Sequence, residues 1–296
     1  MSDFEGKVAI VTGAGGGLGR CHALAFAERG AKVVVNDLGG SVHGDGSGDM
    51  ADAVADEIKA AGGVAIANKA SVTERDGAKS IVDDAVNAFG TVDILVNNAG
   101  ILRDKSFKNM TLDEFDLVLD VHLRGTAYVT KFAWPIMYDK NWGRIVLTSS
   151  TSGIFGNFGQ SNYGAAKMGM LGLMNVLAIE GASHNVRVNC LSPAAATRMT
   201  ASVPGSQFDA SNPPPGMNPA LVTPAVLYLC SEDAPSATTV HAAGGRYSRI
   251  QTFTNEGISL GVEANYEDMM DRINEVMDMS QATPLDPLNR RRRRAS

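Results

Sequence analysis

The stretch VTGAGGGLGR, residues 11–20, ends an apolar β-branched run and opens a segment with helical periodicity. Its glycines Gly13, Gly17 and Gly19 give the pattern T-G-x-x-x-G-x-G. This pattern allows a tight turn and brings backbone N–H groups close to a pyrophosphate at a helix N-terminus. Glycines also mark ordinary turns, so the position between a strand and a helix gives the pattern its weight. The stretch therefore predicts a dinucleotide-binding strand–turn–helix unit.

Further apolar runs follow the first one, and segments with helical spacing separate them. The predicted strands cover 7–12, 32–37, 63–68, 92–98, 143–150 and 186–193, and the predicted helices cover 17–29, 49–61, 74–89, 111–139, 161–183 and 223–231. Strands that alternate with helices favour a parallel sheet covered on both faces. The sequence therefore predicts a single α/β domain built on a doubly wound, Rossmann-type parallel sheet.

Composition limits the classes of function. The chain has 296 residues, of which 44% are hydrophobic, enough for a sizeable core. The formal net charge is −6, but five of the 26 basic residues lie in the arginine run 290–294, so the rest of the chain carries −11. This acidity argues against nucleic acid as a partner. We interpret the arginine run as a solvated tail, because no aromatic residue interleaves with it.

Cysteine usage and hydropathy bear on the compartment. Cys21, Cys190 and Cys230 are odd in number, far apart and without metal-type spacing, which indicates reduced thiols in a cytosolic protein. The chain has no run of 18 apolar residues and no signal-peptide pattern at its start. It ends in RAS rather than a peroxisomal S-K-L signal. We therefore expect a cytoplasmic protein without a membrane partner.

Two loops differ from the rest in composition. Residues 38–50 are rich in glycine, and residues 202–219 combine Pro, Gly, Ser and Asn. The second loop follows a strand end, where open α/β sheets bind ligands, so we expect a mobile substrate loop within about 194–222. A disordered linker is the alternative. Residues 1–245 are predicted to form the catalytic domain, and 246–296 a C-terminal extension.

The extension contains one amphipathic segment, predicted to be a helix over about 263–279. Its apolar face carries Tyr266, Met269, Met270, Ile273, Val276 and Met277, with acidic residues opposite. An acidic polar face disfavours a membrane surface. We expect this helix to pack against its own domain or a sister subunit.

The second predicted strand ends at Asp37, about 20 residues after the glycines. A carboxylate at this place accepts hydrogen bonds from both hydroxyls of an adenosine ribose. A 2′-phosphate would be repelled there, and residues 36–42 contain no Arg or Lys to receive it. The sequence thus favours NAD over NADP. The alternative role for Asp37 is that of a strand-end cap.

Tyr163 and Lys167 lie four residues apart in a predicted helix, so they share one face. Alone, such a pair is common on protein surfaces. Here it follows Ser150 by thirteen residues and joins the glycine pattern, NNAG at 97–100 and Pro193 in PAAATRM. In order and spacing these five features, within about residues 5–245, resemble the short-chain dehydrogenase/reductase family.

The resemblance implies a catalytic set that needs no metal. Tyr163 would take the alcohol proton, Lys167 would stabilise its phenolate, and Ser150 would hydrogen-bond the substrate oxygen. A free tyrosine titrates near ~10, so phenolate near neutrality requires a shift of about 2–3 units. Ser149 and Ser152 also lie near the strand end, and the thirteen-residue offset selects Ser150. The implied NAD contacts are Gly13, Gly17, Leu18, Gly19, Asp37, Leu38, Ser71, Val72, Asn97, Ala99, Tyr163, Lys167, Pro193 and Thr197.

The chain departs from the family pattern in three places. His122, in VHLRG, stands where the family usually has an Asn that helps hold a water on the path to the lysine. We hypothesise that it replaces that Asn as a neutral link in a proton relay; a purely structural buried histidine is the alternative. Ser71 replaces the usual Asp beside adenine. Ala194 replaces the glycine after the proline, and Thr197 comes one residue early.

Within the family, segments such as VVVNDLGG, DVHLRGTAYVT and SPAAATRMT are similar to the (R)-3-hydroxyacyl-CoA dehydrogenase subgroup. The resemblance implies oxidation of a secondary alcohol in a small-molecule substrate and assembly as a homodimer or homotetramer. Rival substrates are a steroid or another bulky alcohol, or a 3-oxoacyl carrier protein. From a different class, a nucleotide-binding sensor without turnover is the alternative, which the intact Ser150, Tyr163 and Lys167 disfavour.

Overall fold

The computed structural model describes residues 3–201, 209 and 212–289. The chain divides into two compact units after Arg249. The arginine run 290–294 and, within the predicted substrate loop, residues 202–208, 210 and 211 lie outside the described residues, so the predictions made for them stay predictions.

The first unit is built on one sheet. Its strands are β1 (Val8–Thr12), β2 (Lys32–Asn36), β3 (Val64–Asn68), β4 (Ile94–Asn97), β5 (Gly143–Thr148), β6 (Val186–Ala194), β7 (Thr239–Ala243) and β8 (Arg246–Ile250). Their spatial order is β3-β2-β1-β4-β5-β6-β7-β8, and the pairings from β3 through β7 are parallel. Only two residues join β7 to β8, a length that suits an antiparallel hairpin. The predicted parallel sheet is confirmed, with this hairpin added at its edge.

The central strands read as continuous apolar runs because helices cover both of their faces. Every residue of β1 and β4 is buried. The helices are α1 (Gly17–Ala27), α2 (Met50–Ala60), α3 (Arg75–Phe89), α4 (Leu112–Leu119), α5 (Gly125–Asp139), α6 (Thr151–Ile154), α7 (Ser161–Gly181), α8 (Arg198–Ala201) and α9 (Thr223–Cys230). Two separate apolar cores result. One holds Phe26, Ile58 and Leu229, and the other holds Ile81, Met137 and Met170.

The predicted helix over 111–139 is interrupted. Thr111 caps α4 by accepting a hydrogen bond from the Glu114 N–H, and the Glu114 side chain accepts one from the Thr111 N–H. A five-residue π-helical turn, Asp120–Arg124, then joins α4 to α5. Single π-turns inside α-helices are frequent at functional sites. The histidine that the sequence marks as unusual, His122, lies in the middle of this turn.

The second unit contains β9 (Phe253–Thr254), β10 (Thr283–Pro284), α10 (Tyr266–Asp271) and α11 (Ile273–Met277). The two short helices replace the single helix expected over 263–279. They are interrupted at Arg272, whose φ of −116° departs from helical geometry. Arg272 forms an ion pair with Glu275 at 2.7 Å. Among the residues described, none of the helices has the length and apolarity that a bilayer crossing requires.

Candidate active site

A cavity of about 550 Å³ lies at the carboxyl ends of the central strands. The strand order reverses between β1 and β4, which is where open α/β sheets bind their ligands. The cavity brings together most of the predicted site residues, namely Gly13, Gly17, Leu18, Asp37, Leu38, Ser71, Val72, Ala99, His122, Ser150, Tyr163, Lys167, Pro193 and Thr197. Two predicted residues, Gly19 and Asn97, do not line it.

The glycine loop is shaped by close backbone contacts. Gly13 has a φ of +64°, and a Cβ added there would lie 2.7 Å from the Ala99 Cα. Gly17 has a φ of +52° and faces the cavity. A Cβ on Gly19 would lie 2.2 Å from the Gly13 carbonyl oxygen. Gly19 therefore serves the packing of α1 against the loop, while Gly13 and Gly17 shape the wall.

Asp37 joins the end of β2 to the glycine loop. Its carboxylate accepts hydrogen bonds from the Gly15 N–H at 2.8 Å and the Gly39 N–H at 2.7 Å. Asp37 therefore caps backbone N–H groups at the strand end, which was the alternative role considered for it. It also lines the cavity, and each carboxylate oxygen has a further lone pair. A pair of ribose hydroxyls can bind here without displacing either backbone contact.

The two asparagines of the NNAG segment have different surroundings. Asn97 is buried, and its Nδ2 donates to Thr130 Oγ1 at 3.1 Å, away from the cavity. Asn98 lines the cavity instead, and its Nδ2 donates to the carbonyl oxygens of Thr12 and Gly13 at 3.1 and 3.0 Å. The predicted cofactor contact of Asn97 stays a prediction, and Asn98 is the asparagine of this segment that lines the cavity. Successive residues at a strand end point to opposite faces, which separates the two asparagines.

Ser71 and Thr197 reach the cavity with their hydroxyls already engaged. Ser71 Oγ lies 2.8 Å from Thr73 Oγ1. Thr197 Oγ1 accepts from the Thr200 N–H at 3.2 Å. Both hydroxyls stabilise their own loops. A ligand in direct contact with them would use the donor or acceptor positions that these bonds leave open.

Tyr163 and Lys167 lie one turn apart on α7, and the Lys167 Nζ is 5.4 Å from the centroid of the Tyr163 ring. The ammonium donates to the Thr148 carbonyl at 2.6 Å. Burial raises the pKa of Tyr163 to about 12, against the opposing effect of a hydrogen bond with Ser150. Burial lowers the pKa of Lys167 to about 7. Without a ligand, both groups are therefore biased towards their neutral forms.

The three candidate serines at the end of β5 are distinguished by their contacts. Ser149 is buried, and its Oγ donates to the Lys167 carbonyl at 2.8 Å, so it fixes α7 rather than facing the cavity. Ser152 and Ser150 both line the cavity. Ser150 Oγ accepts from the Ser152 N–H at 3.1 Å and also hydrogen-bonds Tyr163. Ser150 therefore stands beside the phenol, where a substrate oxygen would be received.

His122 is buried and packs edge-on against Tyr163, with ring centroids 5.1 Å apart. Its Nε2 lies 2.8 Å from the Ile101 carbonyl oxygen and 3.1 Å from the Ile101 nitrogen, while its Nδ1 has no hydrogen-bond partner among the described residues. Burial, together with the positive charge of Lys167, lowers its pKa well below the usual value. The imidazole is therefore neutral. A Cβ on Gly100 would lie 2.2 Å from the His122 Cε1, so the glycine of NNAG makes room for this ring.

Sequence reasoning missed the residues that hold Tyr163 in place. Asn162 is fully buried, and its Nδ2 donates to the carbonyls of Arg103 and Glu114 at 3.1 and 3.2 Å. Gln160 donates to Asp104 at 2.7 Å. These side chains attach the start of α7 to the segment after β4. In the sequence, the one hint of this attachment is the polar Asn162 directly before Tyr163.

The composition of the glycine-rich loop 38–50 does not by itself indicate a role. In the structure it extends from Asp37 to the segment after β4. The Leu102 N–H donates to the Val42 carbonyl at 3.0 Å, and Arg103 pairs with Asp45 at 3.0 Å. Residues Leu38, Gly40, Ser41, Val42 and Gly44 line the cavity. The loop therefore forms part of the cavity wall between the ends of β2 and β4.

The cavity residues fit a nicotinamide dinucleotide. The glycine loop has the close backbone approach that a pyrophosphate requires, Asp37 has acceptor capacity for a ribose, and Tyr163 with Lys167 stands at the other end of the lining. In the described part of the chain no group of three or more His, Cys, Asp or Glu side chains is arranged to hold a metal ion.

Comparison with known proteins agrees with this arrangement. Residues 7–207 match the family described as short chain dehydrogenase, and the chain belongs to the short-chain dehydrogenase/reductase family. It is 46% identical to a short-chain type dehydrogenase/reductase of Mycobacterium tuberculosis, covering 95% of this chain and 98% of that protein. It is 48% identical to the peroxisomal multifunctional enzyme type 2 of Drosophila melanogaster, covering 95% of this chain and 47% of that enzyme.

The solved structure of the full-length Drosophila enzyme gives a TM-score of 0.78 at 40% sequence identity, covering 96% of this chain and 47% of that one. The chain thus spans about half the length of this relative. The predicted family and the Rossmann-type fold are confirmed. The protein is a dehydrogenase of a family that binds NAD(P) and acts on small molecules.

Proposed function

We propose that this protein oxidises (R)-3-hydroxyacyl-CoA to 3-ketoacyl-CoA with NAD. The observation that carries the proposal is the meeting of Ser150, Tyr163 and Lys167 at one cavity whose wall also contains the glycine loop and Asp37. Similarity to the peroxisomal multifunctional enzyme type 2 and to a peroxisomal hydratase-dehydrogenase-epimerase supports the choice of substrate, in line with the resemblance of segments such as VVVNDLGG to the (R)-3-hydroxyacyl-CoA dehydrogenase subgroup.

The proposed reaction divides the work among three side chains. Ser150 hydrogen-bonds the substrate oxygen, and Tyr163, as phenolate, accepts the hydroxyl proton. When bound, the oxidised nicotinamide accepts the hydride from the carbon that carries the substrate hydroxyl. Lys167 favours the phenolate through its charge, and its amine can also bind ribose hydroxyls. The products are the ketone, NADH and a protonated Tyr163.

The substrate is tested by following NADH formation with medium-chain (R)- and (S)-3-hydroxyacyl-CoA. The proposal expects turnover of the R form alone. Turnover of neither form, with NADH binding intact, would overturn the acyl-CoA assignment and move the test to steroids, other bulky alcohols and 3-oxoacyl carrier proteins. Tight NADH binding without turnover of any of these would support the nucleotide sensor instead.

The preference for NAD over NADP is proposed to depend on Asp37. We expect Asp37→Asn to weaken NADH binding about tenfold, because it removes a charge-assisted acceptor for the ribose. The same change removes the repulsion of a 2′-phosphate, so NADPH binding should improve. Fluorescence titration of both reduced cofactors measures the two effects. Asp76→Asn, on α3 and outside the cavity lining, is the matched control. An unchanged ratio of the Kd values for NADH and NADPH in Asp37→Asn would contradict the proposal.

His122 is proposed to be a neutral link in a proton relay that leads to Lys167. Its unpaired Nδ1 and its contact with Tyr163 support this role. We expect His122→Ala to lower kcat at least about tenfold and to alter the pH profile. His122→Asn, which restores the family's usual residue, should recover most of the rate. Unchanged turnover and pH profile in His122→Ala would leave the histidine a structural role only.

Assembly and location complete the proposal. Exposed apolar side chains on α7, Met168 and Val176, support a homodimer or homotetramer with this helix near the interface. Light scattering on the purified protein measures the state directly. Three free cysteines fit a reducing compartment such as the cytoplasm, whereas the multifunctional relatives are named peroxisomal. Fractionation of cells that express the full chain tests the location.

A further inference from the structure

We propose that Arg198 binds the pyrophosphate of the dinucleotide and clamps it from the side opposite the glycine loop. This inference rests on the proposed cofactor but not on the identity of the substrate.

Arg198 begins α8, directly after the segment that follows β6, and it lines the cavity. A Cβ added at Gly16 would lie 3.7 Å from its Nη2, so the guanidinium stands beside the glycine loop. The neighbouring Thr197 is equally close, since a Cβ at Gly17 would lie 3.4 Å from the Thr197 methyl group. Residues 197 and 198 therefore both lie against the glycine loop.

The charge of Arg198 has no partner within the part of the chain that the structure describes. No hydrogen bond or ion pair joins it to any described residue, whereas Arg20, Arg103 and Arg272 each pair with a carboxylate. Among the lining residues of the cavity, the charged side chains are Asp37, Lys167 and Arg198. Lys167 belongs to the catalytic end and is bound to the Thr148 carbonyl. Arg198 is therefore the cation available to an anion at the glycine loop.

The groups facing Arg198 across the loop also favour an anion. α1 has 11 residues and begins at Gly17, its first turn contains no acidic residue, and Gly16 offers no side chain to cap its N–H groups. These N–H groups and the helix dipole attract negative charge. A guanidinium presents a planar fork of donors that matches phosphate oxygens. Backbone donors on one side and Arg198 on the other would enclose a pyrophosphate.

The test compares ligands that contain a pyrophosphate with one that does not. NADH, NADPH, ADP and adenosine are titrated against the wild-type protein and Arg198→Gln by calorimetry, and the two reduced cofactors also by fluorescence. We expect the Kd for NADH and ADP to rise about tenfold in Arg198→Gln, with adenosine binding unchanged. Arg198→Lys should recover part of the loss. The dependence of ADP binding on salt concentration should also become shallower in Arg198→Gln. Arg29→Gln, at the other end of α1 and outside the cavity lining, is the matched control.

Three results would overturn the inference. Equal ADP binding by Arg198→Gln and the wild type would show that the guanidinium is not used. An equal loss for adenosine and ADP would show that Arg198 only holds the loop. A loss confined to NADPH would place Arg198 at a 2′-phosphate. In each case NAD-dependent turnover of the hydroxyacyl substrate by the wild type would leave the proposed function intact, and a wild type that binds no NADH would refute both.

Discussion

Replacing Tyr163 with phenylalanine is expected to lower kcat for alcohol oxidation by about a thousandfold, because the hydroxyl proton then has no acceptor beside the substrate carbon. NADH affinity should stay within about twofold of the wild-type value, since only one hydroxyl is removed. Steady-state NADH formation and fluorescence titration measure the two quantities. Tyr138→Phe is the matched control, because Tyr138 stacks on His184 outside the cavity lining.

The pH profile gives a second readout of the same residue. Burial raises the pKa of Tyr163 to about 12, so the phenol form dominates near neutrality in the absence of ligand. Oxidation needs the phenolate, so its rate should rise with pH below this pKa, whereas reduction needs the phenol and should slow only as the pH approaches the pKa. Tyr163→Phe should remove this dependence from the residual rate. If the variant kept the wild-type rate and profile, another group would be the proton acceptor.

Replacing Gly13 with alanine is expected to lower the free energy of unfolding by about 2–4 kcal/mol and to weaken NADH binding more than tenfold. The φ of +64° disfavours any side chain, and the new Cβ would lie 2.7 Å from the Ala99 Cα, a backbone atom that cannot rotate away. The loop must therefore move, and its N–H groups move with it. Urea unfolding and NADH titration measure both losses.

Gly172→Ala is the matched control for this experiment. Gly172 lies within α7, and a Cβ built there meets no atom within 4 Å. Alanine is favoured over glycine inside a helix by about 0.5–1 kcal/mol, so this variant should be slightly more stable than the wild type. A Gly13→Ala protein as stable as Gly172→Ala, with normal NADH affinity, would mean that the loop tolerates a side chain.

Much of the fold follows from local patterns. The continuous β-branched runs of β1 and β2 and the helical spacing of α3 each specify one element, and their alternation specifies the parallel sheet. The hairpin of β7 and β8 was missed because TVHAA is short and rich in alanine, which has a weak preference for strands. The interruption at Arg272 was missed because the apolar periodicity continues through it.

The position of a site residue could be predicted where a motif fixes both the residue and the face of the helix or strand on which it lies. Tyr163 and Lys167 are separated by one helical turn, so their shared face follows from spacing alone. Which asparagine of NNAG lines the cavity could not be read from the sequence, because it depends on where β4 ends, and a shift of one residue moves the side chain to the other face. The contacts of the loop 38–48 with Leu102 and Arg103 join distant segments, and no local pattern encodes them.

The packing of Gly100 against His122 limits how this chain can change over generations. While the imidazole is present, position 100 cannot gain even a methyl group, because the nearest ring carbon lies 2.2 Å from where that group would stand. The reverse exchange is less restricted, since asparagine at position 122 is smaller and would free the space. The two positions are thus coupled sterically, and a side chain at position 100 requires a smaller residue at position 122.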